Sequence, residues 1–355
     1  METGVARKST GKPGVARKRK KKSAYWLFGV DFLQEANMKM VKKVCFVLVL
    51  LLLVSGIVVA GGKSDANKKI TIGMANLALG DYFTGMRNAV VKAGQDRGWI
   101  VNATNADGDD AKLVSDVENF VAQRVDGIII SGAWFNDIPA ALNAAERAKI
   151  PVVLVDRMFD SQNFTAWVGP DNEFMGEQIG RYIVSLLPNG GTAVIIRGGP
   201  AENTIGINRT KGVTTALTAA RNWNIQVAPD FGDWATDGGK AAMENMLARF
   251  PKIDFVFCEN DSMAFGARSA AADAGRSNEM IFAGIDGANP AILAIIEGGN
   301  YKATGHNDAN VIGAEGVAVM ARILAGEPYN KVNVMTSPLI NIHNALEYRN
   351  AGKWE

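Results

Sequence analysis

The sequence predicts an α/β protein made of two successive units, each a parallel sheet covered by helices on both faces. Three observations carry this expectation. Short apolar runs such as Gly127–Ser131 and Val152–Val155 alternate with stretches at helical spacing. Continuous apolar strands joined by helical crossovers belong to parallel sheets buried on both faces. The same alternation restarts after Gly169–Asp171, and 355 residues exceed the roughly 100–200 that one domain uses.

The elements follow in order. Ile70–Ala75 reads as a strand, and Tyr82, Met86, Ala89, Val90 and Ala93 mark one face of the helix after it. Ile100–Thr104 is a strand, Leu113–Val121 a helix, and Gly127–Ser131 a third strand. Ala140–Ala148 is helical until Pro151 breaks it, and Val152–Val155 is again a buried strand. Ala166–Gly169 then leads into the helix Phe174–Leu187, capped by Asp171, and Ala193–Ile196 into a helix beginning near Asn208. Ile225–Ala228, Phe255–Cys258, Met280–Ile285 and Tyr301–Asn307 are strands. Helices are expected at Gly239–Arg249, Met263–Ala274, Pro290–Ile296 and Ile312–Ala325.

Composition narrows the function. With 48% apolar, 21% charged and 8% aromatic residues, the chain is globular rather than disordered, collagen-like or a disulfide scaffold. The net charge of +2 hides an asymmetry: residues 1–60 hold 12 of the 38 Lys and Arg but 3 of the 36 Asp and Glu. The rest carries 26 basic and 33 acidic residues, a net −7. An acidic body argues against nucleic acid as a partner, because phosphate neutralisation needs clustered Lys and Arg.

Lys39, Lys42 and Lys43 precede the apolar run Val44–Ala60, which ends in small residues. That is the pattern of a secretory signal peptide over residues 38–62, with a retained membrane anchor as the rival reading. Residues 1–37 repeat Gly-Val-Ala-Arg-Lys and carry the basic run Arg17–Lys22. They read as an upstream extension, translation starting at Met38 or Met40; a basic arm is the alternative. Cys45 would leave with the signal, so Cys258 would be the lone thiol of an exported, disulfide-free protein, a small buried hydrophobe in its strand.

In open α/β sheets, ligands bind beyond the carboxyl ends of the strands. Asp156-Arg157 follows one strand, Glu259-Asn260-Asp261 another, Asp286 a third, and His306-Asn307 closes the Tyr301 strand; Arg209 begins a helix. Tyr82-Phe83, Trp134-Phe135 and Trp234 interleave with these groups. Carboxylates, guanidinium groups, an amide and aromatic faces in one cleft suit a polyhydroxylated ring: each hydroxyl donates and accepts, and the rings cover apolar C–H faces. Local alternatives exist: a turn at Asp286-Gly287, core packing for Tyr82 and Trp234, and capping of the Ser262 helix, assigned to Asp261 so that Asn260 faces the ligand.

Sharper chemistries lack their parts. No GxGxxG follows the first strand, and there is no GxxxxGK[ST] loop or GxSxG elbow. His306 and His343 with one retained Cys make a poor zinc set, and Asp107-Gly108-Asp109-Asp110 lacks the geometry of a Ca²⁺ loop. No catalytic residue, metal or cofactor is expected.

Ile70-Thr71-Ile72-Gly73, Val155-Asp156-Arg157, Val168-Gly169-Pro170-Asp171-Asn172, Cys258 to Ala267 and Ala283-Gly284-Ile285-Asp286-Gly287 occur in that order. This set resembles the ribose-binding-protein-like branch of the periplasmic sugar-binding proteins, the type I solute-binding components of ABC importers. The resemblance implies two Rossmann-like lobes joined by a three-crossing hinge. The N-terminal lobe would be 68–170 plus 308–336, the C-terminal lobe 171–307 plus 337–348. It implies a monosaccharide or sugar alcohol held by Tyr82, Phe83, Asp156, Arg157, Arg209, Trp234, Asn260, Asp286 and the hinge residue Asn307, with Asn76, Asp81, Trp134 and His306 as secondary candidates. Trp234 stands where the family carries a smaller Phe. The implied partner is the permease of an ABC importer in the inner membrane, with a monomer acting in the periplasm. Feeding a chemoreceptor or sensor, or forming the core of a sugar-responsive transcription regulator, are the alternatives.

Overall fold

A computed structural model describes residues 68–77, 80–132, 138–158, 163–200 and 204–350. The expected upstream extension 1–37, the signal peptide 38–62 and Trp134 lie outside the described residues. Residues from Lys69 onward form one compact unit containing two α/β lobes, as the alternation predicts.

The first sheet contains β1 (Thr71–Asn76), β2 (Ile100–Asn105), β3 (Gly127–Ser131), β4 (Val152–Val155) and β5 (Ala166–Pro170), with helices α1 (Gly80–Asp96), α2 (Asp110–Gln123) and α3 (Ile138–Arg147) between them. The second contains β6 (Gly191–Ile196), β7 (Trp223–Val227), β8 (Phe255–Cys258), β9 (Ile281–Asp286) and β10 (Tyr301–His306). Its helices are α4 (Asn172–Leu186), α5 (Thr204–Ala220), α6 (Thr236–Arg249), α7 (Asp261–Asp273) and α8 (Asn289–Ile296). The chain then forms α9 (Ala309–Ala325), β11 (Val332–Met335), β12 (Leu339–Asn341) and a 3-10 turn at Ala345–Tyr348.

Strand order is β11-β5-β4-β3-β1-β2 in one sheet and β12-β10-β9-β8-β6-β7 in the other. Pairing is parallel throughout except where β12 runs antiparallel to β10. The order reverses beside β1 in the first sheet and beside β6 in the second. A crevice opens at such points beyond the strand ends.

Each sheet is buried on both faces, which explains its unbroken apolar strands. Ile128, Ile130, Leu154 and Phe120 pack on one side of the first sheet, and Ile129, Val153, Val155 and Met320 on the other. In the second sheet Val194, Val256 and Phe282 face one layer and Ile195, Phe257 and Ile285 the opposite one. Each such side chain contributes about 1.5–3 kcal/mol when fully buried. Cys258 is buried in this core.

Three connections pass between the sheets: 170–172 from β5 into α4, 306–309 from β10 into α9, and 335–339 from β11 to β12. Helix α9 packs on α1 and the first sheet. Asp171 caps α4 by accepting from the Phe174 amide, as expected.

Several elements differ from the sequence expectation. Helix α5 begins at Thr204, not near Asn208; its leading Thr and Ile residues have weak intrinsic helix preference and are carried by packing on α4. Strand β7 begins at Trp223, whose ring meets Phe255 edge-on with centroids 6.3 Å apart. Strands β11 and β12 are too short, and β11 too exposed, to leave a periodic signal.

Candidate functional site

A cavity of about 1070 Å³ lies where the strand ends of both sheets converge. Tyr82 and Phe83 reach it from the first turn of α1, and Asp156 and Arg157 from the turn after β4. Arg209 comes from α5, Trp234 from the turn before α6, Asn260 from the N-cap of α7, Asp286 from the end of β9 and Asn307 from a connection between the sheets. All nine primary candidates line this cavity, with Asp81 at its edge.

Backbone conformation aims several of these groups. Asp156 has φ 66°, Trp234 φ 60° and Asp286 φ 121°. Such values cost non-glycine residues about 1–3 kcal/mol each and persist where surrounding structure over-determines them. The Trp167 indole helps hold Asp156 by donating to its carbonyl at 3.2 Å. Trp234 lies against Gly198: a Cβ there would stand 2.3 Å from the indole Cε2, so the ring occupies space that only glycine leaves.

The polar groups form one connected set. Tyr82 Oη donates to Asp156 Oδ1 at 3.0 Å. Asn307 Nδ2 reaches toward the same oxygen at 3.4 Å and toward Asp286 Oδ1 at 3.5 Å, bridging the carboxylates of the two lobes. Arg209 donates through Nε to Asn172 Oδ1 at 2.8 Å and through Nη1 to the Glu259 carbonyl at 2.7 Å. Helices α4 and α5 approach so closely there that a Cβ on Gly176 would stand 2.2 Å from the Arg209 carbonyl. The Trp234 ring centroid is 5.9 Å from the guanidinium carbon of both Arg157 and Arg209, within cation–π range.

Burial dominates the electrostatics. It pushes Asp286 up to about 6, against the pull of Arg209. It raises the Tyr82 hydroxyl, with Asp156 and Asp286 acting in the same sense, and lowers the Arg157 guanidinium. Asp156, Asp261 and Asp286 therefore share the wall with the guanidinium groups of Arg157 and Arg209, a set that offers both acceptors and donors.

One capping assignment is corrected. Asn260, not Asp261, caps α7: its Oδ1 accepts from the Met263 amide at 2.9 Å, while its Nδ2 donates to the Trp234 carbonyl at 3.0 Å. Asp261 is drawn inward by hydroxyl groups from β10 and also lines the cavity. Two secondary candidates sit off the cavity wall. Asn76 is buried at the end of β1, accepting from Ser131 Oγ at 3.0 Å. His306 packs on Tyr348 with ring centroids 4.9 Å apart and lies 3.7 Å from Asp308.

Sequence reasoning missed Phe265, Asp261 and Pro290 on the wall, and Gly198 behind it. Phe265 and Pro290 follow their strand ends by a few residues and had that positional signal; Gly198 had none. Among the described residues, no group of three or more His, Cys, Asp or Glu could hold a metal ion.

A family model described as periplasmic binding protein domain matches residues 72–328. A ribose import binding protein of Bacillus subtilis is 28% identical over 277 residues, 78% of this chain and 88% of that protein. A xylitol-binding protein of Mycolicibacterium smegmatis is 29% identical over 249 residues, 69% of this chain and 70% of its own. A crystal structure of an ABC transporter solute binding protein from Mycobacterium smegmatis, with bound glycerol, superposes with a TM-score of 0.75 at 27% identity. It covers 81% of this chain and 99% of that one.

Proposed function

The chain belongs to the periplasmic binding protein family, and from that premise we propose that it binds a monosaccharide or sugar alcohol between its lobes and delivers it to a membrane importer. The observation that carries this reading is the cavity wall: Asp156 and Arg157 from one lobe and Arg209, Asn260 and Asp286 from the other meet beside Trp234. Such a set satisfies hydroxyl groups in both senses and shields a ring face. On this reading the ligand leaves unchanged.

Because the wall is split between lobes joined by three connections, closure completes the site. The ligand shifts the hinge toward the closed form only through contacts made there. A micromolar Kd corresponds to about −8 kcal/mol. A few charge-assisted hydrogen bonds at roughly 1.5–3 kcal/mol each supply that after ordering costs. The periplasm as the working compartment, reached by cleavage of the 38–62 signal near Ala60 or Gly62, belongs to the same proposal, as do a monomeric state and an inner-membrane permease that receives the closed form.

A thermal-shift screen over pentoses, hexoses and polyols tests the reading. A ligand at about 100 times its Kd stabilises the folded form by roughly 2.7 kcal/mol. One or more of these compounds should raise the melting temperature, and charged amino acids should not. A shift with amino acids alone would contradict the reading.

A further inference from the structure

At the cavity wall, buried groups from α7 and β10 converge on the turn that carries Asp286. Strand β9 ends there with φ 121°, and Gly287 follows at 70°. The next two amides are both engaged. Gly287 N–H donates to Thr304 Oγ1 at 3.0 Å, and Ala288 N–H donates to Asp261 Oδ2 at 2.8 Å. Thr304 Oγ1 passes its own proton to the same Oδ2 at 2.9 Å, and Tyr301 Oη donates to Asp261 Oδ1 at 2.6 Å. Thr304, Tyr301 and Asp261 are at most 2% exposed. Phe265 stacks on Tyr301 with centroids 5.1 Å apart and planes 12° apart, and Phe265 and Asp261 both line the cavity.

We propose that Asp261 is a positioning residue for the ligand site: through Thr304 and the Ala288 amide it locks the 286–288 turn, and so fixes where the Asp286 carboxylate meets Arg209 and a ligand hydroxyl. The proposal rests on the sugar-binding reading above. Its physical basis is that a non-glycine residue at φ 121° needs neighbours that hold it. Here both following amides are held, one by Asp261 directly and one through a hydroxyl that Asp261 orients. Thr304 is the joint. Its single proton goes to Asp261 and its lone pair takes the Gly287 amide, so serine preserves both bonds and valine removes both. An acid that merely capped α8 would affect stability without altering Asp286.

The test uses the full chain with Thr304→Val, Thr304→Ser and Asp261→Asn. Three quantities are measured: the titration midpoint of the Asp286 carboxyl carbon by NMR, amide exchange at Gly287 and Ala288, and calorimetric binding of D-ribose, xylitol and myo-inositol as probes. Thr304→Val and Asp261→Asn should each shift the Asp286 midpoint, speed exchange at both amides and weaken the best probe by about tenfold or more. Thr304→Ser should restore wild-type values. If Thr304→Val folds and keeps the wild-type Asp286 midpoint and Gly287 protection, the proposal is overturned. If that variant does not fold, an unchanged midpoint in Asp261→Asn overturns it equally. If no probe binds the wild type, sugar binding fails for those compounds, while the midpoint and exchange data still decide the positioning role.

Discussion

Arg209 Nη1 stands 3.1 Å from Asp286 Oδ1 on the cavity wall, with the two side chains 3% and 16% exposed. Neither residue has a sequence neighbour in the pair: the contact joins α5 to the end of β9. It keeps a carboxylate and a guanidinium poised at the surface a ligand would touch.

A charge-assisted hydrogen bond from Arg209 to a ligand hydroxyl is worth about 1.5–3 kcal/mol, so Arg209→Ala should weaken sugar binding by about 10- to 100-fold at 1.4 kcal/mol per decade. It should also push Asp286 further above its value of about 6. Calorimetry and an NMR titration of Asp286 measure both. Unchanged affinity would place the ligand elsewhere.

Trp234 lies within reach of both cavity arginines. Stacking and cation–π contacts contribute about 0.5–2 kcal/mol, so Trp234→Ala should weaken binding roughly tenfold and Trp234→Phe less. If ligand addition changes the tryptophan fluorescence of the wild type, Trp234→Phe should remove most of that change.

Gly198→Ala places a Cβ 2.3 Å from the Trp234 ring. The ring must move, while the Gly198 amide keeps its 2.7 Å bond to Glu259. Binding should fall about tenfold, and the melting temperature should change by only a few degrees, as expected for a loss near 1 kcal/mol. Equal affinity in wild type and variant would show that the ring position is unimportant.

The acids of the wall predict a pH dependence. Burial pushes Asp261 up to about 7, aided by the charge of Asp286, and Asp286 itself up to about 6. Unfolded, both ionise near 3.9, so the folded chain holds more protons between about pH 4 and 7. The stability these groups contribute is full below about pH 4 and is lost as pH rises through about 7. Glu259, also raised by burial, acts in the same direction. Denaturation across this window should show a smaller decline in Asp261→Asn than in wild type; equal slopes would refute the assignment.

The strand ends were legible because parallel pairing puts every carboxyl end on one side, so Asp156, Asn260 and Asp286 could be named from their place after apolar runs. The neighbouring roles were not. Asn260 and Asp261 are both good N-caps, and local preference cannot choose between them. The choice is made by Tyr301 and Thr304, 40 and 43 residues away from Asp261. Gly198 carries no signal either, since its meaning depends on an indole brought in from another turn. His306 also stands at a strand end, and the contact of its ring with Tyr348 had no local signal.

The most direct measurement is a crystal structure with the sugar or polyol that gives the largest thermal shift. The account predicts the ligand between the lobes, its hydroxyl groups bonded to Asp156, Arg209 and Asp286 and one ring or chain face against Trp234. A ligand bound outside this cavity, or one inside it that touches neither carboxylate, would contradict it.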